Sequence, residues 1–158
     1  MTEAQERIPD DQRVCLPTRP AEALPGFREM VLHDPFEAFL GPLYASTADD
    51  PEGTRRRAAF RVDERHVDGT GVLHPGMLMT FADAVLGSTA WAATGRRPCV
   101  TLSLQTHFTG MARTGDLVIV ETRLTRRTRA IVFCAGDFHV DGGHIGQATS
   151  LWKVLGER

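Results

Sequence analysis

HPGMLMTFADAVLGSTAWAATGR, residues 74–96, reads as a helix that is apolar almost all the way round, with one charged side chain, Asp83, near its middle. Pro75 suits the first helical position, where a backbone N–H would have no intrahelical partner. A helix with so little polar surface must bury nearly its whole circumference, so neighbouring strands are expected to curl around it. An ionised acid taken out of water without a partner costs several kcal/mol or takes up a proton, which makes Asp83 the first candidate for a functional residue.

The flanking segments supply those strands. Phe60 and Val62 alternate with Arg61 and Asp63 as a half-buried strand, followed by the loop HVDGTGVLH at 66–74. Beyond the helix, Val100, Leu102, Leu104, Thr106 and Phe108 alternate with Thr101, Ser103, Gln105 and His107, which predicts one packed face and one polar face. Strands over 117–125 and 130–140 follow, joined by the basic turn Arg126, Arg127, Thr128 and Arg129. Asp141, Gly142 and Gly143 signal a hairpin into a last strand over 144–154. The expected architecture is therefore α+β, a four-strand antiparallel meander curled around one long central helix at about 75–93.

Earlier in the chain the pattern is weaker. Residues 27–40 offer apolar positions for one or two short helices broken at 33–35, residues 42–45 a first strand, and STADDPEGTRRR at 46–57 a polar loop. Pro9, Pro17, Pro20 and Pro25 among charges oppose regular structure over 1–26, so a poorly ordered N-terminal arm is expected before a single domain at 27–158.

Composition narrows the function classes. At 158 residues with 42% hydrophobic content, the chain fits one domain with a substantial core. Its 18 Lys and Arg against 20 Asp and Glu argue against nucleic acid or an anionic membrane as a global partner. Cys15, Cys99 and Cys134 are odd in number and far apart, so they read as reduced thiols without a disulfide framework or a metal-binding pair. The N-terminal MTEAQERIPDD lacks the features of a secretory signal, and no apolar run reaches about 18 residues. A soluble cytoplasmic protein is the expectation. Phosphate-binding GxxxxGK[ST] and GxGxxG turns, the GxSxG elbow and the HExxH helix are all absent.

Gly76, Thr80, Asp83, Gly87 and Ala90, spaced by 4, 3, 4 and 3, fall on one helical stripe of small and polar residues. Such a stripe serves either the close approach of another backbone or the floor of a cleft into which Asp83 points, and both hold at a dimer interface. His74, Pro75 and Gly76 at the helix start read either as ordinary initiation or as a place where Gly76 and the next amides polarise a carbonyl oxygen. His139 and His144 flank the hairpin turn as surface positions in preference to metal ligands, His107 lies on the polar strand face, and His33 and His66 fall in loops. No metal site is expected. Arg126, Arg127 and Arg129 read as a solvated turn, or with Arg113 as partners for nucleotide phosphates.

HVDGTGVLHPGMLMTFADAVLG, residues 66–87, resembles the signature of the hotdog-fold thioesterases, in particular the PaaI-like and acyl-CoA thioesterase branch. That signature has an Asn, six positions later the His of a His-Gly-Gly triplet, and nine positions later an Asp within the helix. Asp68, His74 and Asp83 occupy those positions, and the resemblance covers roughly residues 58–155. It implies a curled sheet around a central helix, a homodimer or dimer of dimers with the site built between subunits, and hydrolysis of an acyl-coenzyme A without metal or prosthetic group. It further implies Asp83 as nucleophile or general base, His74 shaping the turn, and Thr101 orienting water or substrate. Pro75, Met77, Thr80 and Arg113 complete the expected substrate contacts.

Two residues depart from the signature. Pro75 stands where the first Gly would present its amide to the carbonyl oxygen, so that N–H is missing. Asp68 stands for the Asn, exchanging a side chain that donates for one that normally only accepts. Gly76 or another helix-start amide is one replacement donor, and an Asp68 protonated beside Asp83 is another. An acyl-thioester binding protein without turnover is the alternative reading. A hydratase or dehydratase on the same fold is a further one, although no AspxxxxHis pair lies on the helix.

Overall fold

A computed structural model of the chain describes residues 24–32, 34–48, 50 and 54–156. Residues 1–23 of the expected arm, with Cys15, and also His33 lie outside them. Ten elements follow in order: β1 (Phe27–Glu29), α1 (Pro35–Leu40), β2 (Tyr44–Ser46), β3 (Arg55–Arg61), a 3-10 turn (Glu64–His66), α2 (Pro75–Ala93), β4 (Cys99–Phe108), β5 (Leu117–Arg127), β6 (Ile131–Val140) and β7 (Gly143–Val154). The strands form one antiparallel sheet in the order β1-β2-β3-β5-β6-β7-β4.

The sheet wraps α2 as the all-round apolar helix requires. Met77, Leu78, Phe81, Ala82, Val85, Leu86 and Ala90 are buried against Phe60, Val118, Val120, Val132, Phe138 and Trp152 from the sheet. Burying each large side chain contributes about 1.5–3 kcal/mol relative to exposure, so this interface dominates the stability of the domain. Phe81 meets Phe60 edge to face at 4.7 Å, an arrangement suited to the aromatic quadrupoles. At the far end of α2, Arg127 Nη1 donates to Ala93 O at 2.6 Å, placing a cation on the negative end of the helix dipole. That guanidinium therefore serves the helix and not the solvated turn expected of it.

Four expectations need correction. Residues 27–29 form an edge strand on β2, not a helix, and Arg55, Arg56 and Arg57 continue β3 into the stretch read as loop. The last four strands are not a simple meander, because β4 crosses over to pair with β7 at the edge of the sheet. A bulge between Thr101 and Ser103 also breaks the alternation of β4. Thr101 lies opposite buried Trp152, and past the bulge Leu104 and Thr106 lie opposite buried Ser150 and Ala148. Val100 and Leu102 consequently face solvent, whereas Thr101 turns toward α2.

Candidate active site

The start of α2 is set by a stitched loop. Asp68 Oδ1 accepts from the Thr70 amide at 2.7 Å, the Thr70 hydroxyl at 2.6 Å and the Val72 amide at 3.3 Å. Gly71 takes a positive φ of 77°, which a residue without Cβ adopts readily. These bonds, the Thr70 hydroxyl first and its amide second, hold the Asp68 carboxyl below the usual Asp range. The proton-sharing role open to Asp68 is thus opposed, since its carboxylate is committed as acceptor within its own turn. An isolated bridge between Val72 and Arg113 sets Arg113, exposed at its side chain, beside this loop.

His74 is the N-cap residue, and its Nδ1 accepts from the Gly76 amide at 2.9 Å. Nδ1 is therefore the unprotonated nitrogen, and a neutral ring carries its proton on Nε2. The Met77 amide donates to His74 O at 2.9 Å, and Pro75 has no N–H. The donor that Gly76 was expected to offer is already engaged. Thr80 donates its hydroxyl to Gly76 O at 2.9 Å, closing it onto its own helix. Met77 is buried in the core and does not line the groove where it was expected to meet substrate.

Two turns along α2, Asp83 is half-buried and accepts a hydrogen bond from Thr101 Oγ1 at 3.0 Å on Oδ1. The β4 bulge makes that contact, because it turns Thr101 inward just where the strand passes the helix. Asp83 opens on a groove of about 300 Å³ lined also by Thr80, Leu104, Met79 and, from α1, Asp34 and Glu37. The remaining stripe residues serve packing. A Cβ on Gly87 would lie 2.8 Å from the Trp152 ring, and Ala90 is fully buried.

Glu37 was not singled out in the sequence. Helix α1 is short, capped by Asp34 whose Oδ1 accepts from Phe36 N and Glu37 N, and it is held over α2 from its far end. Arg65 Nη1 and Nη2 donate to Phe39 O at 3.0 Å and Gly41 O at 2.8 Å, and His66 Nε2 bonds Leu40 O at 2.9 Å. Burial, then the charges of Asp34 and Asp83, push the Glu37 carboxyl above the usual range. His66 is itself 1% exposed, not a loop-surface residue, and burial lowers its pKa.

The other expected groups stay apart from this groove. His139 and His144 pair across the hairpin with ring centroids 5.4 Å apart. Among the described residues no group of three or more His, Cys, Asp and Glu side chains is placed to hold a metal, and no helix is long and apolar enough to cross a membrane. Burial, with a smaller effect from Cys99, pushes the Cys134 thiol up to about 12, which removes it as a nucleophile.

A model of the thioesterase superfamily matches residues 70–147, the loop, α2 and most of the sheet. A Pseudomonas aeruginosa protein that carries the name "Putative esterase" is 32% identical over 132 residues, covering 82% of this chain and 95% of that protein. Zebrafish thioesterase superfamily member 2 is similar in structure with a TM-score of 0.70 at 19% identity, covering 78% of this chain and 89% of the other. A hypothetical thioesterase protein of Streptococcus pneumoniae, solved with coenzyme A, gives 0.65 at 19% identity, covering 73% and 88%. These two structures share the hotdog arrangement of curled sheet and central helix with the present chain.

Proposed function

The chain belongs to the thioesterase superfamily, and we propose that it hydrolyses an acyl-coenzyme A or related acyl thioester to the free acid and thiol. The observation that carries this reading is the hydrogen bond from Thr101 to Asp83 at the mouth of the groove. It fixes one carboxylate oxygen and leaves Oδ2 without a hydrogen-bond partner among the described residues. The solved relative that holds coenzyme A supports the choice of thioester.

In this reading Asp83 takes a proton from water as the water oxygen bonds to the thioester carbonyl carbon. The tetrahedral species then collapses with cleavage of the C–S bond, and the thiolate leaves and is protonated. Thr101 holds the carboxylate in one orientation, so little reorganisation accompanies the attack. Negative charge on the carbonyl oxygen is met at the start of α2 of a second copy of the chain, since two turns of helix, about 10 Å, separate Gly76 from Asp83 within one chain; there the substrate displaces His74 Nδ1 from the Gly76 amide or accepts from His74 Nε2–H. The reaction as written needs no metal and no cofactor other than the coenzyme A of the substrate.

Purified protein is expected to release free thiol from members of an acyl-CoA panel. Asp83→Ala is expected to lower kcat at least about 100-fold while the circular dichroism spectrum stays that of the wild type. Full activity in that variant would exclude Asp83 as the base. Binding of acyl-CoA by both proteins without thiol release would instead favour the non-catalytic reading, to which the missing Pro75 amide and the engaged Gly76 amide already point.

A further inference from the structure

On the opposite side of α2 from Asp83 lies a larger cavity of about 510 Å³ between the helix and strands β1–β3. Val85 and Ser88, which line it, sit roughly 200° and 140° around the helix from Asp83 at about 100° per residue. The strand register shows which side chains turn toward it. Thr122 is buried and bonds Thr89 of α2 at 2.8 Å, so its face of the sheet is the inner one. Arg56 is the cross-strand partner of Thr122 and shares that face. Its neighbour Arg57 turns outward to ion-pair with Glu121 at 3.3 Å and to cover the Phe27 ring. Because Phe27 faces outward with Arg57, the next residue, Arg28, faces inward with Arg56.

Arg28 and Arg56 thus present two guanidinium groups to a cavity floored by Met30, Ala58 and Val85. Neither guanidinium has a carboxylate partner among the described residues. Asp50, the acid on the rim, accepts the backbone amide of Arg55 through its Oδ2. Guanidinium forks match the geometry of carboxylate and phosphate oxygens, while the floor offers only apolar contact. Water satisfies the first requirement but not the second.

We propose that this cavity is a second ligand site that binds an amphipathic anion, an oxyanion head held by Arg28 and Arg56 with an aliphatic tail against Met30, Ala58 and Val85. A carboxylate and a phosphate monoester share the required chemistry. The site is separate from the groove of Asp83 and does not depend on turnover there.

Isothermal titration calorimetry on the full chain tests this with decanoate and decyl phosphate as probes and with acetate and inorganic phosphate as heads without tails. At least one long-chain probe is expected to bind at one site per chain, tenfold or more tighter than its head alone. Arg28→Gln and Arg56→Gln are each expected to weaken it about tenfold, and Asp83→Ala to bind it like the wild type, with circular dichroism confirming that all three fold. Whichever long-chain probe binds more tightly identifies the head. Absence of binding by both probes overturns the proposal. So does binding that both arginine variants retain in full, binding that Asp83→Ala abolishes, or heads that bind as well as the amphiphiles.

Discussion

Asp83 owes its setting to neighbours that the chain places around it one at a time, and the same holds for the amides that would receive a carbonyl oxygen. Pro75 supplies none, Gly76 donates to His74 Nδ1, and Met77 donates to His74 O. Pro75→Gly adds one N–H at the first helical position. Since an oxyanion donor is typically worth roughly 10²- to 10³-fold in kcat, a rise of at least about tenfold with little change in KM is expected in steady-state thiol-release assays. An unchanged or lower rate would place the stabilisation of that oxygen elsewhere. Glu37 gives a second, pH-dependent expectation. Its pKa is raised in the folded chain, so the folded state favours its protonated form. The stability it contributes is full below the ordinary carboxyl pKa of 4.5 and is lost as pH rises through the raised value. Glu37→Gln keeps the group neutral throughout, so thermal unfolding should show variant and wild type alike near about pH 4 and the variant more stable at about pH 7. The reverse order would mean that the ionised carboxylate is favoured by folding. Asp83 and His74 were legible in the sequence because a charge inside an apolar run and a polar cap before Pro75 stand out locally. Glu37 was not, because it reaches the groove only through the Arg65 and His66 bonds to the end of α1, which join residues far apart in the chain.

The long helix and the hairpins carry their own signals, which is why α2 runs over Pro75–Ala93 as expected and β7 begins at Gly143 after the Asp141 turn. The position of β4 carries none, since nothing in its alternation tells whether it pairs with the strand after it or with the last one. The bulge is equally silent, although it determines that Thr101 and not Val100 faces the helix. Strand β1 was missed because three residues are too few for a period to show. Contact between α2 and β7 sets the next expectation. Gly87→Ala would ordinarily favour a helix by about 1 kcal/mol. Here the new methyl lies 2.8 Å from the Trp152 ring, whose Nε1 is tied to Ser150 Oγ at 2.7 Å, so the ring cannot yield cheaply. Overpacking of about 1–3 kcal/mol should outweigh the propensity gain, and urea unfolding is expected to show Gly87→Ala less stable by about 1 kcal/mol. A more stable variant would show that the sheet edge gives way around the indole.

Strand β4 ends the sheet, and that gives the molecule an incomplete side. Val100, Leu102 and Phe108 on it are 44%, 53% and 47% exposed, beside backbone groups with no strand to pair with among the described residues. Edge strands of monomeric proteins usually carry charge or a covering segment against such pairing, and among the described residues β4 has neither at these positions. Thr101 lies on the same strand, so whatever covers the edge also bounds the groove of Asp83. A second copy of the chain is the occupant that suits both facts, because an antiparallel β4 pair would satisfy two identical edges at once and bury both apolar sets by symmetry. Analytical ultracentrifugation at micromolar concentration is therefore expected to show a dimer or a multiple of it. Leu102→Arg sets two like charges near the pairing axis, and is expected to shift the protein to monomer while each chain stays folded, since that side chain has no part in the core. Thiol release should fall with the loss of the dimer and recover at protein concentrations that restore it. Wild-type protein that sediments as a monomer with full activity would mean that one chain closes its own groove.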